Sequence, residues 1–133
     1  MPLKVTLTPT QLKARKAVEP DWHAATIKDI TRQKNKAGDS YNYVVDLVGL
    51  EGEAQDVPFK TWISEKDNAI GQLAEIAWAA GLISQEERDS ADNTGVTFDV
   101  EEAIGNRVEI KTALDEFNGQ PTNRVVGFRP PRG

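Results

Sequence analysis

The chain has 133 residues, 38% hydrophobic, 28% charged and 7% aromatic, with a formal net charge of -5. That length supports one domain with its own core, and that composition excludes collagen-like, disulfide-rich and fully disordered classes. With no Cys and one His, disulfides, thiol chemistry and ordinary zinc sites are excluded, and no cofactor is expected.

The charge is segregated: +4 over residues 1–40, -11 over 41–105 and +2 over 106–133. A polynucleotide responds to the local field before the total, so an acidic chain is compatible with such a partner. The plain alternative is that the acidic middle is a solubilising surface. No run approaches twenty apolar residues, so no membrane partner is expected. The first residues, MPLKVTLTPTQLKARK, lack the apolar centre of a secretory signal, and the absence of Cys makes an intracellular location the simpler expectation.

Residues 1–19, interrupted by Pro2 and Pro9 and ending before Pro20, read as an arm ahead of a domain spanning 20–130. From Trp22 to Arg32 the pattern is strand-like. His23, Ala25 and Ile27 alternate, and Ile30 then breaks the parity, which predicts a bulge near Lys28–Asp29. A polar loop at 33–39 leads into the clearest strand, 40–48, with Tyr41, Tyr43, Val45 and Leu47 on one face. After a turn at 49–53, a third strand is expected at 56–63. Ser64 or Asp67 can cap a helix through Ile70, Leu73, Ile76, Ala77 and Ala80, stopped at Gly81. Residues 83–95 are too polar to pack and read as an excursion with at most one helical turn, and 99–105 as another short turn ending at a glycine. A strand at 107–117 puts Val108, Ile110, Thr112 and Leu114 inward. Asn118-Gly119 signals a two-residue hairpin into a last strand at 122–128. Residues 131–133 are a tail.

Five short strands with one main helix between the third and fourth, and a bulge in the first, predict an all-β OB-fold, a five-stranded Greek-key barrel. A small α+β sandwich uses the same elements in another pairing.

Ala25-Thr-Ile-Lys-Asp-Ile30, Lys36-Ala-Gly-Asp-Ser-Tyr-Asn-Tyr43, Ala79-Ala-Gly-Leu82, Ile104-Gly-Asn-Arg-Val108, Phe117-Asn-Gly and Asn123-Arg-Val125 together resemble the phage-encoded OB-fold family related to single-stranded DNA-binding proteins. The resemblance covers about residues 20–130. It implies single-stranded DNA as partner, a place in phage replication or recombination alongside other proteins of that module, the cytoplasm of a bacterial host, and possible self-association. Residues 83–98 depart from the family pattern. Bacterial relatives end in an acidic partner-recruiting peptide, whereas this chain ends in Arg-Pro-Pro-Arg-Gly.

A single-strand binder needs aromatic faces beside cations on an open groove. In an OB barrel that groove crosses strands two and three, flanked by the 1–2 and 4–5 loops. The expected contacts are Arg32, Lys34 and Lys36 on one flank, Phe117, Lys111 and Arg124 on the other, and Lys60 with Trp62 on strand three. Tyr41 is open to either a core or a groove role, and Tyr43 is expected in the core. No GxxxxGK[ST], GxGxxG or GxSxG pattern occurs in the chain, so no catalytic residue is expected. The second interpretation is a protein-interaction module that meets a basic partner through its acidic side.

Overall fold

Trp22–Lys34 forms a single strand of 13 residues, β1, long enough to serve two partners. Residues Trp22–Thr26 pair with β4 (Arg107–Phe117) and Ala25–Lys34 with β2 (Tyr41–Gly49), both antiparallel. The structure, a computed structural model, describes residues 3–7, 17–65 and 71–131, with the side chains of Asp92, Phe117 and Gln120 outside the described residues. β3 (Pro58–Ser64) adds to β2 and β5 (Gln120–Arg129) to β4, giving a five-stranded antiparallel sheet ordered β3-β2-β1-β4-β5. Two helices lie in the chain between β3 and β4: α1 (Gln72–Ala79) and α2 (Gln85–Thr94).

The expected bulge is present. Ile27 pairs with Leu47 and Asp29 with Asp46, so Lys28 is the extra residue. The added residue resets the side-chain parity and lets both Ile27 and Ile30 face inward, at 0% and 7% exposure. A second irregularity, which no parity break announced, sits in β5. Lys111 pairs with Gly127 and Thr112 with Val125, which leaves Val126 unpaired and 49% exposed. The β4–β5 hairpin closes through Asn118 and Gly119 at φ 53° and 78°, the double positive φ that makes Asn-Gly the favoured two-residue turn.

The core lies on one face of the sheet. Ile27, Val45, Leu47, Phe59, Ile63, Val108 and Ile110 meet Leu73, Ile76 and Ala79 of α1 there. Leu114, expected to point inward with Val108 and Ile110, is 50% exposed, because β4 has run beyond the core towards its hairpin. α1 ends as expected at Gly81 (φ 83°). The Leu82 N–H donates to Ala77 O and the Gly81 N–H to Trp78 O, closing a Schellman stop. Of the expected caps, Ser64 instead ends β3, while Asp67, like the expected apolar position Ile70, lies outside the described residues.

The stretch expected to be a polar excursion with at most one helical turn holds the second helix, Gln85–Thr94. Ser84 caps α2 in a reciprocal box with Glu87: the Glu87 N–H donates to Ser84 Oγ and the Ser84 N–H to Glu87 Oε1, both at 3.0 Å. The Ser-x-x-Glu spacing was legible. The polar composition concealed it, because none of the described side chains of α2 is fully buried and the helix needs no apolar stripe. The short turn expected at 99–105 is present at Val100–Ala103, with Gly105 at φ 89°.

Part of the arm belongs to the body. Val18 is buried at 3% and joins the core, and its N–H donates to Asn123 Oδ1 at 3.0 Å. Buried Thr112 holds the same segment, since its N–H donates to Asp21 O at 2.9 Å and its hydroxyl donates to Glu19 O at 3.3 Å. Leu3, Val5 and Leu7 are exposed.

Candidate nucleic-acid interface

The strand register lays out the outer face of β1–β2–β3 as a grid. Asp29, Asp46 and Lys60 form one row across the three strands, Thr31, Val44 and Trp62 the next, and Gln33, Asn42 and Ser64 the third. These positions alternate with Ile30, Val45 and Ile63, which are buried on the core face. Trp62 is 62% exposed, the largest exposed aromatic among the described residues. Its opposite neighbour Val44 is only 4% exposed although it points away from the core, whereas the Trp62 indole is largely open to solvent.

Lys60 is tied to both neighbours. Its Nζ lies 3.4 Å from Asp46 Oδ1 and 5.8 Å from the centre of the Trp62 ring. Between β3 and β5 runs a groove of about 430 Å³, lined by Lys60, Thr61, Trp62 and Gln72 on one side and Asp115, Thr122, Asn123, Arg124 and Val125 on the other. Three expected contact residues, Lys60, Trp62 and Arg124, therefore share one groove. Asp115 lines it too, so its charge is mixed rather than uniformly positive. The approach of β5 to β3 is a tertiary event, because the two strands are the edges of the hydrogen-bonded order.

The remaining expected residues stand elsewhere. Arg32, Lys34 and Tyr41 have the parity of the core residues, on the opposite face of the sheet from Trp62. Arg32 stacks on Tyr41, 3.7 Å from its ring centre, and grips Glu65 with two bonds, Nε to Oε1 at 2.5 Å and Nη2 to Oε2 at 3.0 Å. Tyr43 packs against the core, as expected, and its hydroxyl bonds Glu65. Lys36 sits in the turn between β1 and β2, where Asn35 Oδ1 accepts the Gly38 N–H at 2.8 Å. Lys111 lies on the outer face beside Trp22 and Gly127. Lys34, Lys36, Lys111 and Arg124 make no ion pair among the described residues. The side chain of Phe117 lies outside the described residues.

The other two tryptophans are covered in a way that sequence spacing did not signal. Arg129 lies 4.1 Å from the Trp22 ring centre and is held by Glu109, and Arg88 lies 4.2 Å from the Trp78 ring centre and is held by Glu75. A guanidinium lies over one face of each, and both rings are half-buried, whereas Trp62 is exposed. Among the described residues no three His, Asp or Glu side chains converge as metal ligands, and no helix is long and apolar enough to cross a membrane.

The Arg32 bonds and that of Tyr43 hold the Glu65 carboxyl below its ordinary value, while burial and the Glu65 bond raise the Tyr43 phenol. A carboxyl whose folded pKa is depressed stabilises the fold above its unfolded pKa, and that contribution disappears as pH falls through the folded value. Glu65→Gln should therefore lower the thermal midpoint at pH 7, and the gap from the parent should close as pH drops below about 4. Melting curves at pH 7 and pH 3 check this; a gap independent of pH would show that the charge is not what Glu65 contributes.

No protein-family model matches this chain, and comparison with curated proteins finds no match either.

Proposed function

We propose that the chain is an OB-type barrel that binds single-stranded DNA with little dependence on sequence, serving replication or recombination in a phage. The reading rests on one observation: an exposed tryptophan on the outer face of β2–β3, with a lysine beside it and an arginine across the adjoining groove. The sheet order supports the barrel, since β3 and β5 are the strands an OB-fold brings together and here they line one groove. A base stacks on Trp62, Arg124 meets the phosphate across the groove, and Lys60 supplies positive charge beside the ring. Lys34, Lys36 and Lys111 serve as outlying phosphate contacts where the strand passes round the barrel.

Titration of intrinsic fluorescence with oligo(dT) at low salt tests this. Binding quenches Trp62 and weakens with added salt, with a log–log slope of about -0.7 for each phosphate neutralised. Arg124→Ala should flatten that slope by about 0.7 and lower affinity at every salt concentration. No quenching and no mobility shift at tens of micromolar protein would end the proposal.

One observation favours a second interpretation, a module that docks a basic protein. Glu86, Glu87, Asp89, Asp99, Glu101 and Glu102 are all exposed along α2 and the turn after it. Arg88, the one cation among residues 85–102, is itself held by Glu75 and Asp89. A pull-down with and without nuclease separates the two, since partners bridged by DNA disappear and direct ones persist.

A further inference from the structure

We infer that Asp46, acting with Lys60, makes the Trp62 station prefer bases that carry an exocyclic amino group, cytosine above all, over thymine. The inference rests on the single-strand reading and adds a base preference at one position within otherwise sequence-tolerant binding.

The geometry supplies an orientation. Going outward from β1, the strand positions run β1, β2, β3, then the groove, then β5. Trp62 stands on β3, Arg124 across the groove on β5, and Asp46 on the other side, on β2. Asp46 faces Asp29 directly across β1–β2. Among the described residues the Asp29 carboxylate takes only the Ile30 N–H beside it, at 2.9 Å, and it stands beside the Asp46 carboxylate across the pair. Phosphates are repelled by the two carboxylates and drawn to Arg124 on the opposite side of the ring. A nucleotide with its phosphate at Arg124 and its base on Trp62 therefore turns its Watson–Crick edge towards β2.

At that edge it meets Asp46. The carboxylate is a diagonal cross-strand neighbour of Trp62, about 7 Å away between backbones, within reach of the rim of a stacked base. Its side chain is 37% exposed, and among the described residues only Oδ1 has a partner, Lys60 Nζ. An ionised carboxylate accepts at both oxygens, so Oδ2 is free for a donor. Asp46 and Lys60 thus present an acceptor beside a donor. Cytosine matches that pair: its N4 amino group donates to Asp46, and N3 and O2 accept from Lys60. Adenine offers the same order through N6 and N1. Thymine sets a carbonyl on either side of its single N–H, so one carbonyl faces the carboxylate, an arrangement that costs affinity.

Oligo(dC) and oligo(dT) of equal length, titrated at the same salt into the intact protein and into Asp46→Asn, test this. The parent should bind oligo(dC) about tenfold tighter. In Asp46→Asn the ratio should approach one, with oligo(dT) binding improved because a negative charge has left the face and an amide can also donate. A role confined to holding Lys60 would weaken both oligonucleotides alike and leave the ratio unchanged. Equal affinities in the parent, or a preserved ratio in the variant, overturn the inference while leaving single-strand binding in place. Failure of the parent to bind either oligonucleotide overturns both.

Discussion

Gly49→Ala should cost about 3 kcal/mol or more of stability and lower the thermal midpoint by roughly 10 °C. Gly49 ends β2, where the chain turns through the short helical segment Gly52–Ala54 before entering β3. The Gly49 N–H donates to Val57 O at 2.9 Å and the Asp56 N–H donates to Gly49 O at 3.0 Å. A Cβ on Gly49 would lie 1.9 Å from the Ala54 carbonyl oxygen and 2.7 Å from its carbon. The obstacle is backbone, and that carbonyl also accepts the Val57 N–H at 2.9 Å, so it cannot retreat without breaking the turn. Ala54 is fully buried, which closes the other escape. Gly71→Ala is the control: Gly71 caps α1 in a right-handed conformation with nothing within 4 Å of its would-be Cβ among the described residues. It should be neutral or slightly stabilising by restricting the unfolded chain. Thermal or urea unfolding of both variants checks the pair, and a parent-like midpoint for Gly49→Ala would contradict the packing described at that turn.

Trp62→Ala should weaken binding of single-stranded DNA by 10- to 100-fold, since base–aromatic stacking is worth about 1–3 kcal/mol. The fluorescence response separates lost stacking from general damage. With Trp22 and Trp78 each covered by an arginine, quenching on binding arises from Trp62 and should vanish in the variant, while the emission of the other two persists. Trp62→Phe should retain most of the affinity. The fold should survive either change, because Trp62 is 62% exposed on the outer face and outside the core cluster. Undiminished affinity in Trp62→Ala would remove the ring from the interface and favour the acidic side as the functional surface.

Charge neutralisation within the protein tempers the basic character that residue counts suggest. Lys60 is engaged by Asp46 and Arg32 by Glu65, each across neighbouring strands or the turn beyond. Both pairs are open to solvent, so their own contribution to stability is small. Their effect is on availability: a phosphate at Lys60 competes with a carboxylate already in place, whereas Arg124, Lys111, Lys34 and Lys36 make no such pair among the described residues. Salt dependence should therefore report first on those four.

What the amino-acid order settled by itself is local. Alternation of Tyr41, Tyr43, Val45 and Leu47 marked β2, the parity break between Ile27 and Ile30 marked the bulge at Lys28, and Asn118-Gly119 and Gly81 marked a hairpin and a helix stop. Each arises from the backbone preferences or side-chain period of residues a few positions apart, which spacing alone records. Lys60 and Trp62 were likewise assigned to the outer face by parity. Only the tertiary structure decided which of nine expected contact residues meet. Arg124 shares a groove with Trp62 because β5 curls towards β3, more than sixty positions away in the chain, while Arg32 and Tyr41, drawn together by Glu65, face the other way. Strand curvature and ion pairing join residues by the shape of the whole sheet, and no short-range pattern carries that information.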